Sequence, residues 1–228
     1  MKAGRGLILQ EEQERYLERL LPPREPLLAE MERVAAAEAI PVSDPEVGRL
    51  LDALVRARQP RSLVEVGTAI GYGALILARA APEGRVLSID RDADRLERAR
   101  GYLERAGVAE RVQLVEGEAL EVLAALPPPV DFAYVDGDKT SYRRCLDLLL
   151  PKMSVGGLLV FDNLLWKGKV ARLSVEETEG EEQADAIRAF NTYLMIHPQL
   201  SASILPLGDG VGVAVKTRAL LSELGGPF

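Results

Sequence analysis

Two short segments hold the side chains best suited to chemistry. Asp136-Gly137-Asp138-Lys139 closes one apolar run, and Asp162-Asn163 closes another. If those runs are neighbouring parallel strands, their C-terminal ends lie roughly 5 Å apart and Asp136, Asp162 and Asn163 converge. Three such oxygen donors suit a hard cation in octahedral geometry, Mg2+ or another divalent ion such as Ca2+ or Mn2+, with about three positions left for water or a chelating substrate. Zinc is disfavoured, because Cys145 is the one cysteine and His197 the one histidine. Any single aspartate after a strand is more simply a helix cap or a solvated turn. Three donors gathered in one place are harder to explain that way. Lys139 is the base candidate, provided that burial or a nearby metal depresses its pKa. Its plainer reading is a surface ion pair with Asp136 or Asp138.

A second cluster lies upstream. Leu63-Val64-Glu65-Val66-Gly67-Thr68-Ala69-Ile70-Gly71-Tyr72-Gly73 joins an apolar run to a helical one, and its glycines let the backbone approach a ligand closely. The spacing G-x-x-x-G-x-G departs from the G-x-G-x-x-G of a dinucleotide-phosphate cradle and resembles motif I of S-adenosylmethionine (SAM) enzymes. Glu65 would repel a pyrophosphate, but it suits a ligand carrying an ammonium and a sulfonium. Asp90 ends the next run, where a carboxylate accepts the ribose hydroxyls of NAD or SAM alike. Gly117-Glu118-Ala119 follows the third run and can receive an adenine. A glycine-rich turn alone also fits a tight turn with no ligand; Glu65 and Asp90 beside it weigh against that.

These residues share one edge only if the elements between them alternate. Residues 62–66, 85–90, 111–115, 131–136 and 157–162 read as strands, and segments near 71–81, 91–106, 119–126 and 141–150 as helices. Alternation of this kind means βαβ units and a parallel sheet, with ligands at the carboxyl ends of the strands. A helical stretch over 183–196 precedes two strands, 201–207 and 211–216, joined by Gly208-Asp209-Gly210 as a tight hairpin. The expected fold is α/β, a mostly parallel seven-stranded sheet with an antiparallel C-terminal hairpin and helices on both faces. Residues 1–59 form an N-terminal helical extension of the same domain, patterned around Leu17, Leu20 and Leu21, over 27–39 and over 45–58, and residues 60–228 form the core. Residues 172–183 are acidic and poorly patterned, and read as a mobile loop.

The chain has 228 residues with 28 Lys plus Arg against 35 Asp plus Glu, a net charge of −7, and its 47% hydrophobic and 28% charged content excludes a disordered or collagen-like polymer. A lone cysteine fits a reducing compartment, hence a cytoplasmic location. No run approaches the ~18 apolar residues of a bilayer span, and the apolar patch at residues 7–9 is broken by Glu11 and Glu12. The acidic balance argues against broad attraction to phosphate polymers, so DNA is not expected and RNA is possible but not favoured; with no spanning run, no membrane partner is expected. Asparagine occurs only at Asn163 and Asn191, a bias that fits a thermophilic source.

Taken together, motif I, Asp136-x-x-Lys139-x-x-Tyr142, Gly156-Gly157 with Asp162-Asn163-Leu164-Leu165-Trp166-x-Gly168, Phe190-Asn191 and Leu207-Gly208-Asp209-Gly210 resemble the metal-dependent O-methyltransferases related to catechol and caffeoyl-CoA methyltransferases. The match spans almost the whole chain. Gly67-Thr68-Ala69-Ile70-Gly71-Tyr72 and Tyr193-Leu194-Met195-x-His197-Pro198 look most like the bacterial branch that includes tRNA 5-hydroxyuridine methyltransferases. The resemblance implies a class I methyltransferase, Rossmann-like fold, with Asp136, Asp162 and Asn163 as metal ligands. It also implies that Val42, Glu65, Gly67, Tyr72, Gly73, Asp90, Glu118 and Ala119 border SAM, with Gly117 and Asp136 beside them. Gly73 stands where the family often has serine, so one side-chain contact to the cofactor is missing. The N-terminal helices of this family help form the acceptor site and a homodimer contact.

The expected reaction follows from charge. A divalent ion chelating two vicinal oxygens lowers the pKa of the acceptor hydroxyl, and the oxyanion attacks the sulfonium methyl in line. A catechol-like phenol meets that demand, and so does the C4-oxo/C5-hydroxy edge of 5-hydroxyuridine in tRNA. Trp166 walls the acceptor pocket or covers a loop. Lys139, Arg143, Arg144, Lys167, Lys169 and Arg172 hold a polyanionic acceptor or are solvated. His197 reads as a cap or packed residue and Cys145 as inert core. An NAD-linked dehydrogenase and a non-catalytic SAM- or RNA-binding protein are the rival functions.

Overall fold

The computed structural model of the protein describes residues 11–171 and 181–217. The apolar patch at residues 7–9 and most of the acidic segment expected as a loop, Arg172 included, lie outside the described residues. The elements run α1 (Glu11–Leu20), α2 (Pro26–Glu38), α3 (Pro45–Arg58), β1 (Ser62–Val66), α4 (Tyr72–Ala80), β2 (Arg85–Asp90), α5 (Ala93–Arg105), β3 (Val112–Glu116), α6 (Ala119–Ala125), β4 (Val130–Val135), α7 (Tyr142–Leu149), β5 (Met153–Phe161), α8 (Glu181–Ile196), β6 (Leu200–Leu205) and β7 (Val211–Lys216). Helices α2 and α3 each open on a proline, whose missing N–H costs nothing in the first turn.

The strands form one seven-stranded sheet in the order β3-β2-β1-β4-β5-β7-β6. β1 to β5 pair in parallel, β7 runs antiparallel to β5, and β6 antiparallel to β7. Side chains alternate across the central strands. Leu63, Phe132 and Tyr134 face one core with Met31, Leu51 and Leu75, while Val64, Val66, Ala133 and Val135 face another with Tyr142, Phe161 and Phe190. Burial on both faces explains why β1 and β4 are mostly apolar, with Glu65 the buried exception in β1.

Register decides where the chemistry falls. Val66 pairs with Ile89 and with Val135, and Val135 pairs with Phe161, so β1, β4 and β5 end together and β2 runs one residue further, to Asp90. Asp136 and Asp162, the next residues along, leave the sheet side by side.

Several boundaries differ from expectation: β4 and β6 begin and end a residue or two earlier than 131–136 and 201–207, and residues 181–183, expected as loop, already belong to α8. The third strand begins at Val112, because Arg111 closes a short 3-10 turn. The fifth begins at Met153, ahead of the expected Gly157, since Met153 already pairs with Val130 before a register shift. The C-terminal connection is wider than a tight turn: β6 ends at Leu205, and residues 206–210 form the loop. That loop bonds outward, with Gly210 O accepting from Leu164 N at 2.9 Å and Asp209 O from Leu165 N at 2.8 Å, so it props the segment after β5.

Candidate active site

At the ends of β4 and β5 the polar groups form a chain. Lys139 Nζ donates to Asp136 Oδ1 at 2.7 Å and to the Tyr142 hydroxyl at 2.8 Å, and that hydroxyl donates to the Asp162 carbonyl at 3.0 Å. Lys139 is therefore not a surface residue; it is 8% exposed and faces inward. The Asp162 carboxylate is 2% exposed. Its Oδ1 accepts from Asn163 N at 2.7 Å and its Oδ2 from the Tyr134 hydroxyl at 2.8 Å. Burial, followed by the charge of Asp136, holds the Asp162 carboxyl above the usual carboxylate range. Burial and the two aspartates likewise push the Tyr134 phenol up, which keeps it a proton donor.

Asn163 adopts φ 59°, a left-handed conformation that asparagine tolerates better than most residues. Trp166 and Lys167 are left-handed too, at 43° and 57°. The loop holds this shape because it is pinned from outside. Asp209 Oδ1 accepts from Lys167 N at 2.7 Å, and Asn191 Nδ2 donates to Leu164 O at 2.8 Å. Trp166 packs against the second core.

The donor set fits a hard cation. Two carboxylates from adjacent strands crowd together, one with a raised pKa, and each Asp162 oxygen has capacity beyond its single hydrogen bond. Among the described residues no three His, Cys, Asp or Glu side chains gather as a metal cluster. The candidate centre rests instead on two aspartates and the Asn163 amide.

On the same edge, Gly67 (φ 98°) needs its glycine, since a Cβ there would collide with the backbone carbonyl of Asp136. The glycine turn after β1 and the end of β4 thus lie main chain against main chain. Glu65 is fully buried; the Ser88 hydroxyl donates to Oε2, while Oε1 has no partner. Burial pushes its carboxyl up to about 8. A Cβ on Gly73 would collide with Oε1, so the space a serine would need is filled by Glu65. A buried acid with an orphaned oxygen is matched to a cationic ligand group such as an ammonium.

Asp90 accepts from Ala69 N at 2.8 Å and from Asp92 N at 3.1 Å, which fastens the glycine turn to β2. Gly117 N donates to Asp90 O at 3.0 Å, bringing the Gly117-Glu118-Ala119 turn to the same edge. Tyr72 is buried and its hydroxyl donates to Glu32 Oε1 at 2.7 Å, turned toward α2. Val42 packs against the first core.

Other candidates resolve into packing. His197 Nδ1 accepts from Gln199 N at 3.2 Å and its ring meets Tyr193 edge-on. Cys145 is buried, and burial pushes its thiol up. The basic group is divided, with Lys139 inside the site and Arg143 stacked 4.5 Å over Tyr193. Sequence reading passed over Tyr134 and Ser43 as polar partners of the site; it used Asp209 as a hairpin turn and Asn191 and Asp209 as motif residues, without the contacts that pin the loop after β5. A tyrosine two residues before Asp136 was the available signal.

A parallel sheet ending in an antiparallel β5-β7-β6 unit, with a glycine turn after β1 and acids after β2, β4 and β5, defines a class I methyltransferase. Residues 22–217 match the family model described as O-methyltransferase, and the chain belongs to that family. The caffeoyl-CoA O-methyltransferase of Populus kitakamiensis is 33% identical over 181 residues, 76% of each chain. An O-methyltransferase from Bacillus cereus, solved in complex with SAH, is 28% identical with a TM-score of 0.79, covering 90% of this chain and 97% of that one. The O-methyltransferase of tomaymycin synthesis from Streptomyces achromogenes, solved with SAM, is 27% identical with a TM-score of 0.79, covering 92% and 100%. Family membership sets aside the dehydrogenase reading. Among the described residues no helix is long and apolar enough to cross a membrane.

Proposed function

We propose that the protein is a SAM- and divalent-metal-dependent O-methyltransferase acting on a small aromatic acceptor with two adjacent oxygens. The observation that carries this is the pairing of Asp136 and Asp162 at adjacent strand ends, on the edge where Glu65 keeps an unpartnered oxygen. Asp136, Asp162 and Asn163 would hold the ion, which when bound lowers the pKa of a chelated hydroxyl. Glu65 Oε1 is placed to accept from the SAM ammonium, and the Asp90 carboxylate to accept from the ribose. Lys139 Nζ, which donates to Asp136 and Tyr142, takes the hydroxyl proton only in its neutral form; as the ammonium it instead steadies the acceptor oxyanion. The overall transfer forms one O–C bond and breaks one S–C bond, so these residues act chiefly by placing two oppositely charged groups in line.

The relatives' acceptors favour a catechol-like phenol. 5-Hydroxyuridine in tRNA offers the same two-oxygen edge and is the second acceptor to try, against a net charge of −7 and the inward turn of Lys139. Exposed Tyr16, Leu17 and Leu20 on α1 are consistent with the homodimer expected of the family. Purified protein with labelled SAM, Mg2+ and a catechol panel should give methylated product, abolished by chelator and restored by Mg2+. Asp162→Ala should lower turnover by about 1000-fold. Transfer to hydroxylated tRNA with none to phenols would reassign the acceptor, and turnover indifferent to chelator would overturn the metal.

A further inference from the structure

The polar contacts of Asp162 extend beyond the site. Its Oδ2 accepts from the Tyr134 hydroxyl at 2.8 Å, and the Tyr134 oxygen lies 2.7 Å from Ser43 Oγ. A phenol has one proton. With that proton directed to Asp162, the Ser43 hydroxyl is the donor to Tyr134. Ser43, Tyr134 and Asp162 are 8%, 1% and 2% exposed, so no water substitutes readily for any link. Phenylalanine would fill the same apolar space in β4, so the hydroxyl is what serves these partners. Ser43 belongs to the segment between α2 and α3, far from β4 in sequence. Its neighbour Asp44 lies against the loop between β6 and β7, where a Cβ on Gly208 would come within 3.0 Å of Asp44 Oδ2. The Tyr134 ring also lies under the cofactor turn, with Cε1 3.5 Å from where a Cβ on Gly73 would stand.

We infer that Tyr134, steadied by Ser43, is a positioning residue for Asp162: it fixes the rotation of the carboxylate so that its remaining lone pairs face the ion, and so makes ion affinity depend on the segment joining α2 to α3. The inference rests on the metal-site reading above. The Tyr134 hydroxyl and the backbone N–H of Asn163 each occupy one acceptor position on a different Asp162 oxygen, which leaves one on each for other use. Outer partners of metal ligands of this kind govern affinity by ~10–100-fold.

The test is Mn2+ binding to the full chain, followed by paramagnetic resonance, in the parent, Asp162→Ala, Tyr134→Phe, Ser43→Ala and the Tyr134→Phe/Ser43→Ala double variant. The parent should bind and Asp162→Ala should not. Tyr134→Phe should weaken binding by about 10-fold or more, and Ser43→Ala by a smaller factor. The double variant should be no weaker than Tyr134→Phe alone, because Ser43 acts through the tyrosine. SAM affinity measured alongside should hold in Tyr134→Phe, which separates lost orientation from general loosening. If the parent binds, Asp162→Ala does not, and Tyr134→Phe stays within ~2-fold of the parent, the inference is overturned while the metal site stands. If the parent does not bind at all, both fall. Should Tyr134→Phe fail to fold, Ser43→Ala decides, and unchanged Mn2+ affinity in it overturns the inference.

Discussion

The two ends of the sheet edge handle buried acids in opposite ways. Around Asp162 each carboxylate oxygen already has a hydrogen-bond donor, and Lys139 sits on the neighbouring Asp136. Around Glu65 one oxygen takes the Ser88 hydroxyl and the other takes nothing. The first arrangement orients its carboxylates before any ligand arrives; the second keeps an acid neutral by burial until a cation reaches it. An ion demands fixed donor directions, whereas a single ammonium needs one good acceptor in a dry place. Gly67 joins the ends at the backbone of Asp136, so the two can sit close without sharing side chains.

That contrast breaks most visibly at Glu65. Glu65→Gln keeps the shape and removes the charge, so SAM affinity should fall by about 10- to 100-fold by calorimetry while Mn2+ affinity holds. The same variant tests the pH behaviour. Because the folded protein holds a proton on Glu65 up to about 8, against 4.5 for the ordinary carboxyl, its stabilising effect is complete below 4.5 and is lost as pH rises toward 8. Chemical denaturation of the ligand-free parent should therefore show stability falling across that window by up to ~1.4 kcal/mol per pH unit, with Glu65→Gln flattening the curve. A parent as flat as the variant would show that Glu65 is ionised in the fold. A smaller effect sharpens the other end. Asp209→Ala removes the acceptor for Lys167 N, and should cost about 1 kcal/mol of stability and raise the acceptor KM more than it lowers kcat. An unchanged KM would mean that the loop from Asn163 to Gly168 does not shape the acceptor site.

Much of this was legible in the sequence for a plain reason. Strands buried on both faces announce themselves as apolar runs, and acids that interrupt those runs at Asp90, Asp136 and Asp162 mark one edge. The C-terminal connection was misread because its partners are remote: Gly210 and Asp209 accept from Leu164 and Leu165, contacts that no local turn rule contains. Tyr134 was hidden by the period of two that makes it a core position, and only its hydroxyl separates it from Phe132 in kind. Ser43 was illegible, since it lies in an unpatterned segment and finds its partner 91 residues away. Lys139 was half legible. Its spacing from Asp136 was plain, but its burial depends on Tyr142, which links it to the Asp162 carbonyl.

The proposed function turns on Asp136, Asp162 and Asn163 holding one ion. Anomalous diffraction from crystals grown with Mn2+ tests it directly. A single peak per chain should touch all three side chains, at the ~2.0–2.1 Å expected for a small octahedral cation or slightly longer. Contradiction would be a fully ordered site with no peak there, or a peak held by other residues.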